Sequence, residues 1–256
     1  MGRLRLASLG SGSRGNATLI HSGDTLLLVD CGFPASELQR RCARLGVDPT
    51  DIDAILVTHE HSDHIQGVGV SARRFGLPVW MTHGTRVAMA QEAIAALHLF
   101  GGHDDEFGIG DIRVQPIPVP HDAREPVQFV FRVGDTRIGL MTDVGSVTPH
   151  ITSRLDGVDA LLLECNHDPE MLATGPYPAS VKVRVGGAYG HLANAQAAQL
   201  LESIDHPKLS HLVIGHVSQQ NNAPACVENA LRAVSEDMLA KVSVLEQDAA
   251  NAWIVV

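Results

Sequence analysis

Four side chains of metal-binding type lie close together in the stretch VTHEHSDHIQG. His59, His61, Asp63 and His64 fall within six positions, directly after the apolar run 54–58. Imidazole and carboxylate groups suit Zn, Mn or Fe, and the lack of thiolates disfavours a sealed structural zinc site. A strand end that leads into a loop can direct several side chains at one point. The spacing therefore predicts a metal site rather than a polar loop in which Asp63 caps a helix.

Single ligand-type side chains end three later apolar runs. His121 follows VQPIPVP, Asp143 follows RIGLMT and His216 follows HLVIG. Each is a weak signal alone, because a lone His or Asp at a strand end is more often a cap or a satisfied loop residue. Together with the first stretch they predict four strand ends that carry His or Asp, and such rigid elements hold metals well.

Apolar periodicity indicates the elements that must position these residues. The first half contains strand-like runs and two helix candidates, and the second half repeats this style from about residue 111. The predicted strands are 4–9, 16–21, 25–30, 54–58, one near 79, 112–119, 127–133, 137–142, 160–164 and 212–215. The predicted helices are 35–45, 85–99, 194–204 and 224–234. Strands followed by helices, twice over, favour two packed sheets with helices outside, an α+β layering.

The glycine-rich stretch SLGSGSRGNATLI has the spacing of a dinucleotide-binding turn. That turn needs a helix directly after it, whose N-terminus holds the pyrophosphate. The following residues, NATLIHSGDTLLLVD, instead predict two strands joined by a Ser-Gly-Asp turn, which excludes a nicotinamide cofactor here. Ser11, Ser13 and neighbouring backbone N–H groups are then candidates for contact with a substrate phosphate, and so are Arg14 and Asn16. A plain hairpin fixed by Asn16 is the alternative.

Composition limits the classes of protein. The chain has 256 residues, 45% of them hydrophobic, and we expect one domain with pseudo-halves of roughly 1–110 and 111–256. A net charge of −10 disfavours bulk coating of nucleic acid, but metal ions add local positive charge that would let a nuclease work. Four scattered cysteines and the lack of a signal peptide or membrane span predict a cytoplasmic protein that does not bind a membrane.

THEHSDH, with His121, Asp143 and His216 in this order, resembles the metallo-β-lactamase-fold hydrolase superfamily along nearly the whole chain. The resemblance implies a four-layer αβ/βα sandwich, with two mixed sheets packed face to face and helices outside. It also implies two divalent metal ions, Zn, Mn or Fe. On the family pattern one ion is bound by His59, His61 and His121, the other by Asp63, His64 and His216, and Asp143 bridges them.

Three further stretches resemble the YycJ/WalJ-like branch of that superfamily. They are LLLECNHDPEMLATGPYP, GAYGHLANAQAA and IGHVSQQNNAP, and an N-terminal SGS-x-GN segment accompanies them. The branch motifs imply substrate contacts from a set of hydroxyl and amide side chains, namely Asn166, Asn194, Ser218, Asn221 and Asn222. Members of the branch are described as DNA exonucleases or, more loosely, as hydrolases.

The same order of residues resembles the nucleases RNase Z and RNase J. In those families an acidic residue orients a histidine that faces the leaving group, and Glu164 and His191 match these positions. A positioned imidazolium that donates a proton accelerates phosphodiester cleavage by about 10²–10⁴-fold. A helix-capping neighbour of Asn194 is the structural alternative for His191.

The resemblance thus implies a metal-dependent phosphodiesterase or exonuclease acting on single- or double-stranded DNA, with RNA as a further option. A hydroxide activated by the metal pair would attack phosphorus, with Asp63 among the catalytic residues and His191 as general acid. The alternatives are a small-molecule ester, thioester or cyclic phosphodiester hydrolase, and a non-catalytic metal-binding regulatory protein. The sequence leaves the oligomeric state open, with a dimer as one option.

Overall fold

The computed structural model describes residues 2–89, 93–101 and 106–256. Within these ranges the strands are β1 Arg5–Gly10, β2 Ala17–Ser22, β3 Thr25–Val29, β4 Ala54–Leu56, β5 Val79–Thr82, β6 Leu97–Phe100, β7 Phe107–Ile109, β8 Ile112–Pro118, β9 Val127–Val133, β10 Thr136–Met141, β11 Ala160–Glu164, β12 His211–Gly215, β13 Val242–Val244 and β14 Ile254–Val255. The helices are α1 Ala35–Arg44, α2 Ser62–Ile65, α3 Val68–Phe75, α4 His83–Ala88, α5 Pro149–Leu155, α6 Pro169–Thr174, α7 Ala179–Val185, α8 Asn194–Ser203, α9 Pro224–Val234 and α10 Glu236–Leu239, with a 3₁₀ turn at Pro49–Asp51.

These strands form two mixed sheets of seven strands each. The first sheet has the order β14-β1-β2-β3-β4-β5-β6, antiparallel as far as β3 and parallel from β3 onwards. The second has the order β13-β12-β11-β10-β9-β8-β7, with antiparallel pairs among β7, β8 and β9 and parallel pairs from β10 to β13. Parallel strands end on the same side, so each sheet can gather loop residues at one edge.

The chain divides into two compact units. Unit 1 comprises residues 1–118, 123–136 and 246–256, and unit 2 comprises 119–122 and 137–245. In unit 1 a buried apolar cluster, which includes Leu28, Phe33, Ile55 and Val79, packs between the first sheet and its helices. In unit 2 the strand β11 is fully buried, as expected for a parallel strand covered on both faces. The single domain with halves at 1–110 and 111–256 stays a prediction.

Most predicted elements match the structure within two or three residues, but the helix predicted at 85–99 is wrong. The described helix there ends at Ala88, and Leu97–Phe100 forms a parallel strand beside Val79–Thr82. Residues 90–92 of the predicted helix lie outside the described residues. Pairing with β5, and the stacking of His98 on Trp80 at 4.4 Å, overrides the local helical pattern.

The glycine-rich stretch forms the β1–β2 connection, as the sequence predicts. Gly12 and Gly15 have φ values of 142° and 143°, a region that other residues rarely adopt. A Cβ atom on Gly15 would overlap the Phe33 ring. Asn16 closes the turn, since its Oδ1 accepts from Gly12 N at 2.8 Å and its Nδ2 donates to Gly12 O. Both the close packing and the amide clamp therefore make this turn rigid.

Membrane insertion has no candidate segment among the helices of the described ranges. None of them combines the length and the apolar character that crossing a bilayer requires.

Candidate metal centre

The first cluster consists of His59, His61, Asp63 and His64, all in unit 1. It lies just beyond β4, where the chain leaves the sheet and enters the short helix α2. His59 Nε2 lies 3.0 Å from His61 Nδ1, and the His59 and His64 rings are 4.2 Å apart. His59 and His64 are fully buried, while His61 is half-buried. Asp63 lies within α2, so it does not act as the helix cap.

Asp30 and Thr58 orient the first cluster. Asp30 Oδ2 accepts from His64 Nδ1 at 2.7 Å, and the same carboxylate accepts from Thr58 N and Thr58 Oγ1 at 2.8 Å. With Nδ1 protonated towards Asp30, the His64 Nε2 lone pair is the one that can bind a metal. This carboxylate–histidine arrangement is the usual support of a metal ligand.

The second cluster consists of His121, Asp143, His191 and His216, all in unit 2. Each residue comes from a different connection, after β10, after β12 or from the segments 119–122 and 186–193. Asp143, His191 and His216 each offer one ligand atom, and these atoms lie within 4.8 Å of one another. His216 Nδ1 is 3.1 Å from Asp143 Oδ2.

The buried carboxylate of Glu164 supports the second cluster. Its Oε1 accepts from Val144 N at 2.6 Å and Leu192 N at 3.1 Å, and its Oε2 lies 3.1 Å from His191 Nδ1. This pairing directs His191 Nε2 away from the carboxylate, and the His191 side chain keeps 18% of its surface exposed. Glu164 thus links the loop after β10 to the loop that carries His191.

His121 is held by the backbone. Its Nδ1 donates to Gly190 O at 2.9 Å, which leaves Nε2 as the acceptor and ligand atom. Burial lowers the pKa of His121 below its usual value, with the nearby His191 adding to this and the Asp143 and Glu164 carboxylates opposing it. A buried neutral imidazole is the form that binds metals.

Three residues at these strand ends adopt left-handed backbone conformations. Asp30, Asp143 and His216 have φ values of 59°, 55° and 50°. Such a conformation costs a non-glycine residue about 1–3 kcal/mol and is concentrated at functional sites, where the surrounding structure holds it. The shared conformation turns three side chains sharply off the ends of β3, β10 and β12.

The donor chemistry of both clusters fits divalent metal ions. In the second cluster the ligand atoms of Asp143, His191 and His216 converge, and in the first cluster Asp63 Oδ2 lies 3.5 Å from His64 Nε2. In both His64 and His121 the hydrogen bond made by Nδ1 leaves Nε2 as the ligand atom. These are the ligands that Zn, Mn and Fe take in open, catalytic sites.

The residues predicted to contact substrate have structural partners within their own units. Arg14 pairs with Asp248 at 2.5 Å on the surface, and Asn16 Nδ2 lies 3.2 Å from Asp63 Oδ2. In unit 2 the buried amides link loops to one another: Asn194 pairs with Asn222, Asn222 donates to Cys165 O, Asn166 donates to His216 O, and Ser218 Oγ accepts from Asn221 N. Ser11 is buried and Ser13 is exposed. Their contact with substrate stays a prediction.

Sequence reasoning missed Asp30 and the Gly190 carbonyl, which orient His64 and His121 respectively. The first had a usable signal, because Asp30 ends an apolar strand in the stretch TLLLVDCG, just as Asp143 ends another. The second had none, since a backbone carbonyl carries no signature in the sequence.

Comparison with known proteins identifies the family. Residues 25–216 match the family described as β-lactamase superfamily domain. Exodeoxyribonuclease YycJ of Bacillus anthracis is 34% identical over 244 residues, which cover 91% of this chain and 90% of that protein. Exodeoxyribonuclease WalJ of Streptococcus pneumoniae is 35% identical over 219 residues, covering 84% and 81%.

A solved structure supports the same fold. The metallo-β-lactamase-fold protein YhfI of Bacillus subtilis superimposes with a TM-score of 0.75 at 18% identity, over 98% of this chain and 99% of that one. The predicted fold class is confirmed as two mixed sheets of seven strands each, with helices, of the metallo-β-lactamase fold. So is the predicted resemblance to the YycJ/WalJ-like branch. The chain belongs to the β-lactamase superfamily, in the branch that contains YycJ and WalJ.

Proposed function

We propose that this protein is a metal-dependent phosphodiesterase that acts as an exonuclease on DNA. The observation that carries the proposal is the Glu164–His191 pair at 3.1 Å, beside the ligand atoms of Asp143 and His216. Cleavage of a phosphodiester expels an alkoxide, which needs a proton donor close to the metal ligands. The relatives named exodeoxyribonuclease, 34–35% identical over most of the chain, support DNA as the substrate.

The proposed ligands are His59, His61, Asp63, His64, His121, Asp143 and His216, which would hold two divalent ions, Zn, Mn or Fe. Such ions, when bound, activate water and neutralise charge on the phosphate. The chain's own residues supply orientation and protons: Asp30 fixes the His64 ring, and the Gly190 carbonyl fixes the His121 ring.

His191 is the proposed general acid. Because Glu164 accepts from His191 Nδ1, the proton to be donated is the one on Nε2, the nitrogen turned away from the carboxylate. A neighbouring carboxylate stabilises the imidazolium that must exist before transfer. His191 lies close enough to Asp143 and His216 to serve as a ligand instead, so the test below must separate the two roles.

The cytoplasm is the proposed location, because the free thiols of Cys31, Cys42 and Cys165 are buried and suit a reducing compartment.

The test uses protein loaded with Mn²⁺ or Zn²⁺ and measures turnover of 5′-phosphorylated single- and double-stranded DNA, RNA, bis-p-nitrophenyl phosphate and a thioester. We expect phosphodiester cleavage, a loss of about 10²–10⁴-fold in His191→Ala, and normal metal content in that variant. His61→Ala should lose metal as well as activity. His83→Ala removes an exposed histidine at the start of α4 and serves as the control.

Three outcomes contradict parts of this proposal. Turnover of the thioester without any phosphodiester would replace the nuclease with an ester hydrolase. A His191→Ala protein that loses metal in parallel with activity would make His191 a ligand. Faster cleavage of RNA than of DNA would change the substrate class.

A further inference from the structure

Tyr189 is the one exposed aromatic side chain of this protein. The sequence contains ten Phe, Tyr and Trp residues, and all ten lie in the described ranges. The other nine are buried or half-buried, whereas Tyr189 exposes 64% of its surface. A protein with so few aromatic residues gains nothing in stability from placing a ring in solvent, because the ring's apolar area stays hydrated.

The backbone beneath Tyr189 is tightly held. Gly145 lies so close that a Cβ atom there would overlap Ala188 O, Tyr189 Cα and Gly190 N. Gly190 N donates to Gly187 O at 2.9 Å, and Ser146 Oγ donates to Ala188 O at 3.2 Å. The ring therefore projects from a fixed turn, which limits the entropy lost when a ligand binds to it.

This turn also contacts the second cluster. The Gly190 carbonyl accepts from His121 Nδ1, and His191, two residues after Tyr189, pairs with Glu164. The exposed ring therefore shares its short backbone segment with the proposed proton donor. A group stacked on Tyr189 would belong to the part of the substrate that adjoins the scissile bond.

The groove that adjoins this turn has an uncharged lining. A groove of about 410 Å³ begins at Ser146, whose hydroxyl holds the Ala188 carbonyl, and it runs between α5 and α8. It is lined by Ser146, Val147, Thr148, Pro149, Thr152, Gln196, Gln199, Leu200 and Ser203, with no acidic or basic side chain among them. Hydroxyl, amide and apolar groups of this kind suit the edges and faces of nucleobases.

We propose that Tyr189 is the stacking platform for an unpaired nucleobase of the strand being cleaved, at the nucleotide adjacent to the scissile phosphate. The inference rests on the proposed nuclease function and adds to it a substrate requirement. Stacking on an aromatic ring tolerates any base, because every base has a π-face. The proposal concerns an unpaired nucleotide, because inside a duplex both faces of a paired base are covered by its stacked neighbours.

The experiment is a double-mutant cycle between the ring and the base. A fluorescent single-stranded oligonucleotide with phosphorothioate linkages resists cleavage, and its affinity for the metal-loaded protein is measured by anisotropy. A second series consists of oligonucleotides with one abasic site each, placed in turn at the successive positions near the end of the strand. The proteins are the wild type, Tyr189→Ala, Tyr189→Phe and Val183→Ala. Val183 is 76% exposed on α7, so its variant removes exposed apolar surface without removing an aromatic ring.

We expect Tyr189→Ala to bind the intact oligonucleotide about tenfold more weakly, with Tyr189→Phe and Val183→Ala like the wild type. At one abasic position the wild type should lose the same factor, and Tyr189→Ala should lose nothing further. Equal affinities of the wild type and Tyr189→Ala would overturn the inference. Equal losses of affinity at every abasic position would also overturn it. So would weaker binding by Tyr189→Ala that is explained entirely by a change in its oligomeric state.

The nuclease proposal and the stacking inference can be contradicted independently of each other. If the ring and the base show this coupling but no unmodified phosphodiester is cleaved by the wild type, Tyr189 still binds a nucleobase and the nuclease proposal falls. If cleavage occurs without coupling, the nuclease proposal stands and the platform falls.

Discussion

The two metal-ligand clusters are built in opposite ways. The first takes four ligand-type residues from one segment after β4, and a single neighbouring carboxylate, Asp30, orients it. The second takes its residues from separate connections, and Glu164 with the buried asparagines must hold those connections together. The first cluster therefore depends on local chain geometry, while the second depends on links between distant loops.

The largest expected effect comes from the carboxylate of the second cluster. Glu164→Gln keeps the shape but replaces one acceptor oxygen with an NH₂ group, so His191 loses its acceptor or a buried backbone N–H loses its partner. We expect activity to fall by about 10²–10⁴-fold, with no recovery in excess metal. Steady-state cleavage of DNA across a metal titration measures this.

Glu170→Gln is the matched control for that variant, because Glu170 is exposed on α6. Metal analysis and circular dichroism of Glu164→Gln separate a catalytic loss from misfolding. Activity within a few-fold of the wild type would show that the second cluster does not need its carboxylate.

The equivalent change in the first cluster should act through the metal. Asp30→Asn keeps an acceptor for Thr58 but weakens the bond to His64 Nδ1, so the His64 ring loses the partner that orients it as a ligand. We expect metal affinity to fall by about 10–100-fold, as for other carboxylates that hydrogen-bond a metal-binding histidine. Activity should therefore recover when Mn²⁺ or Zn²⁺ is added in excess, unlike that of Glu164→Gln.

A competition titration against a chelator measures this change in affinity. Asp24→Asn is the control, since Asp24 is an exposed residue of the β2–β3 turn. A loss of activity in Asp30→Asn that excess metal does not restore would remove the distinction between the two clusters.

This distinction also explains how much of the candidate site could be predicted from the sequence alone. The first cluster was recognisable from spacing, because its ligands are neighbours in the chain. In the second cluster His121, Asp143 and His216 gave only weak signals at the ends of apolar runs, and His191 required the family resemblance, because these residues are adjacent only through the fold. Asp30 was missed since it meets His64 through the pairing of β3 with β4, which spacing does not show. The helix predicted at 85–99 failed for a related reason, because sheet pairing decides the conformation of Leu97–Phe100.

Removing the hydrogen bonds between the loops of the second cluster should have a moderate effect on the stability of the protein. Asn222→Ala leaves the buried Cys165 carbonyl and the buried side-chain amide of Asn194 without their hydrogen-bond partner. We expect the free energy of unfolding to fall by about 1–3 kcal/mol, the cost of leaving a buried polar group without a partner. Urea titration measures this. Asn229→Ala, at an exposed position of α9, should leave the midpoint unchanged; an equal shift in both variants would contradict the role of the loop links.

The smallest expected effect concerns two cysteines that follow the two supporting carboxylates. Burial raises the pKa of Cys31, next to Asp30, to about 11, and burial also raises the pKa of Cys165, next to Glu164. Burial likewise raises the pKa of Cys42 to about 12. At about pH 8 all three stay protonated and inaccessible, so a thiol-alkylating reagent should modify only the half-buried Cys226.

Mass spectrometry of the intact protein after alkylation should thus show one adduct, and denaturation before alkylation should give four. Alkylation of Asp30→Asn and Glu164→Gln tests which of the two carboxylates keeps the cysteine next to it inaccessible to the reagent. Because Glu164 joins separate loops whereas Asp30 joins adjacent strands, we expect Cys165 to gain reactivity and Cys31 to stay protected. Modification of Cys31 before Cys165 would reverse the proposed difference, and the first cluster would then be the one held by weaker links.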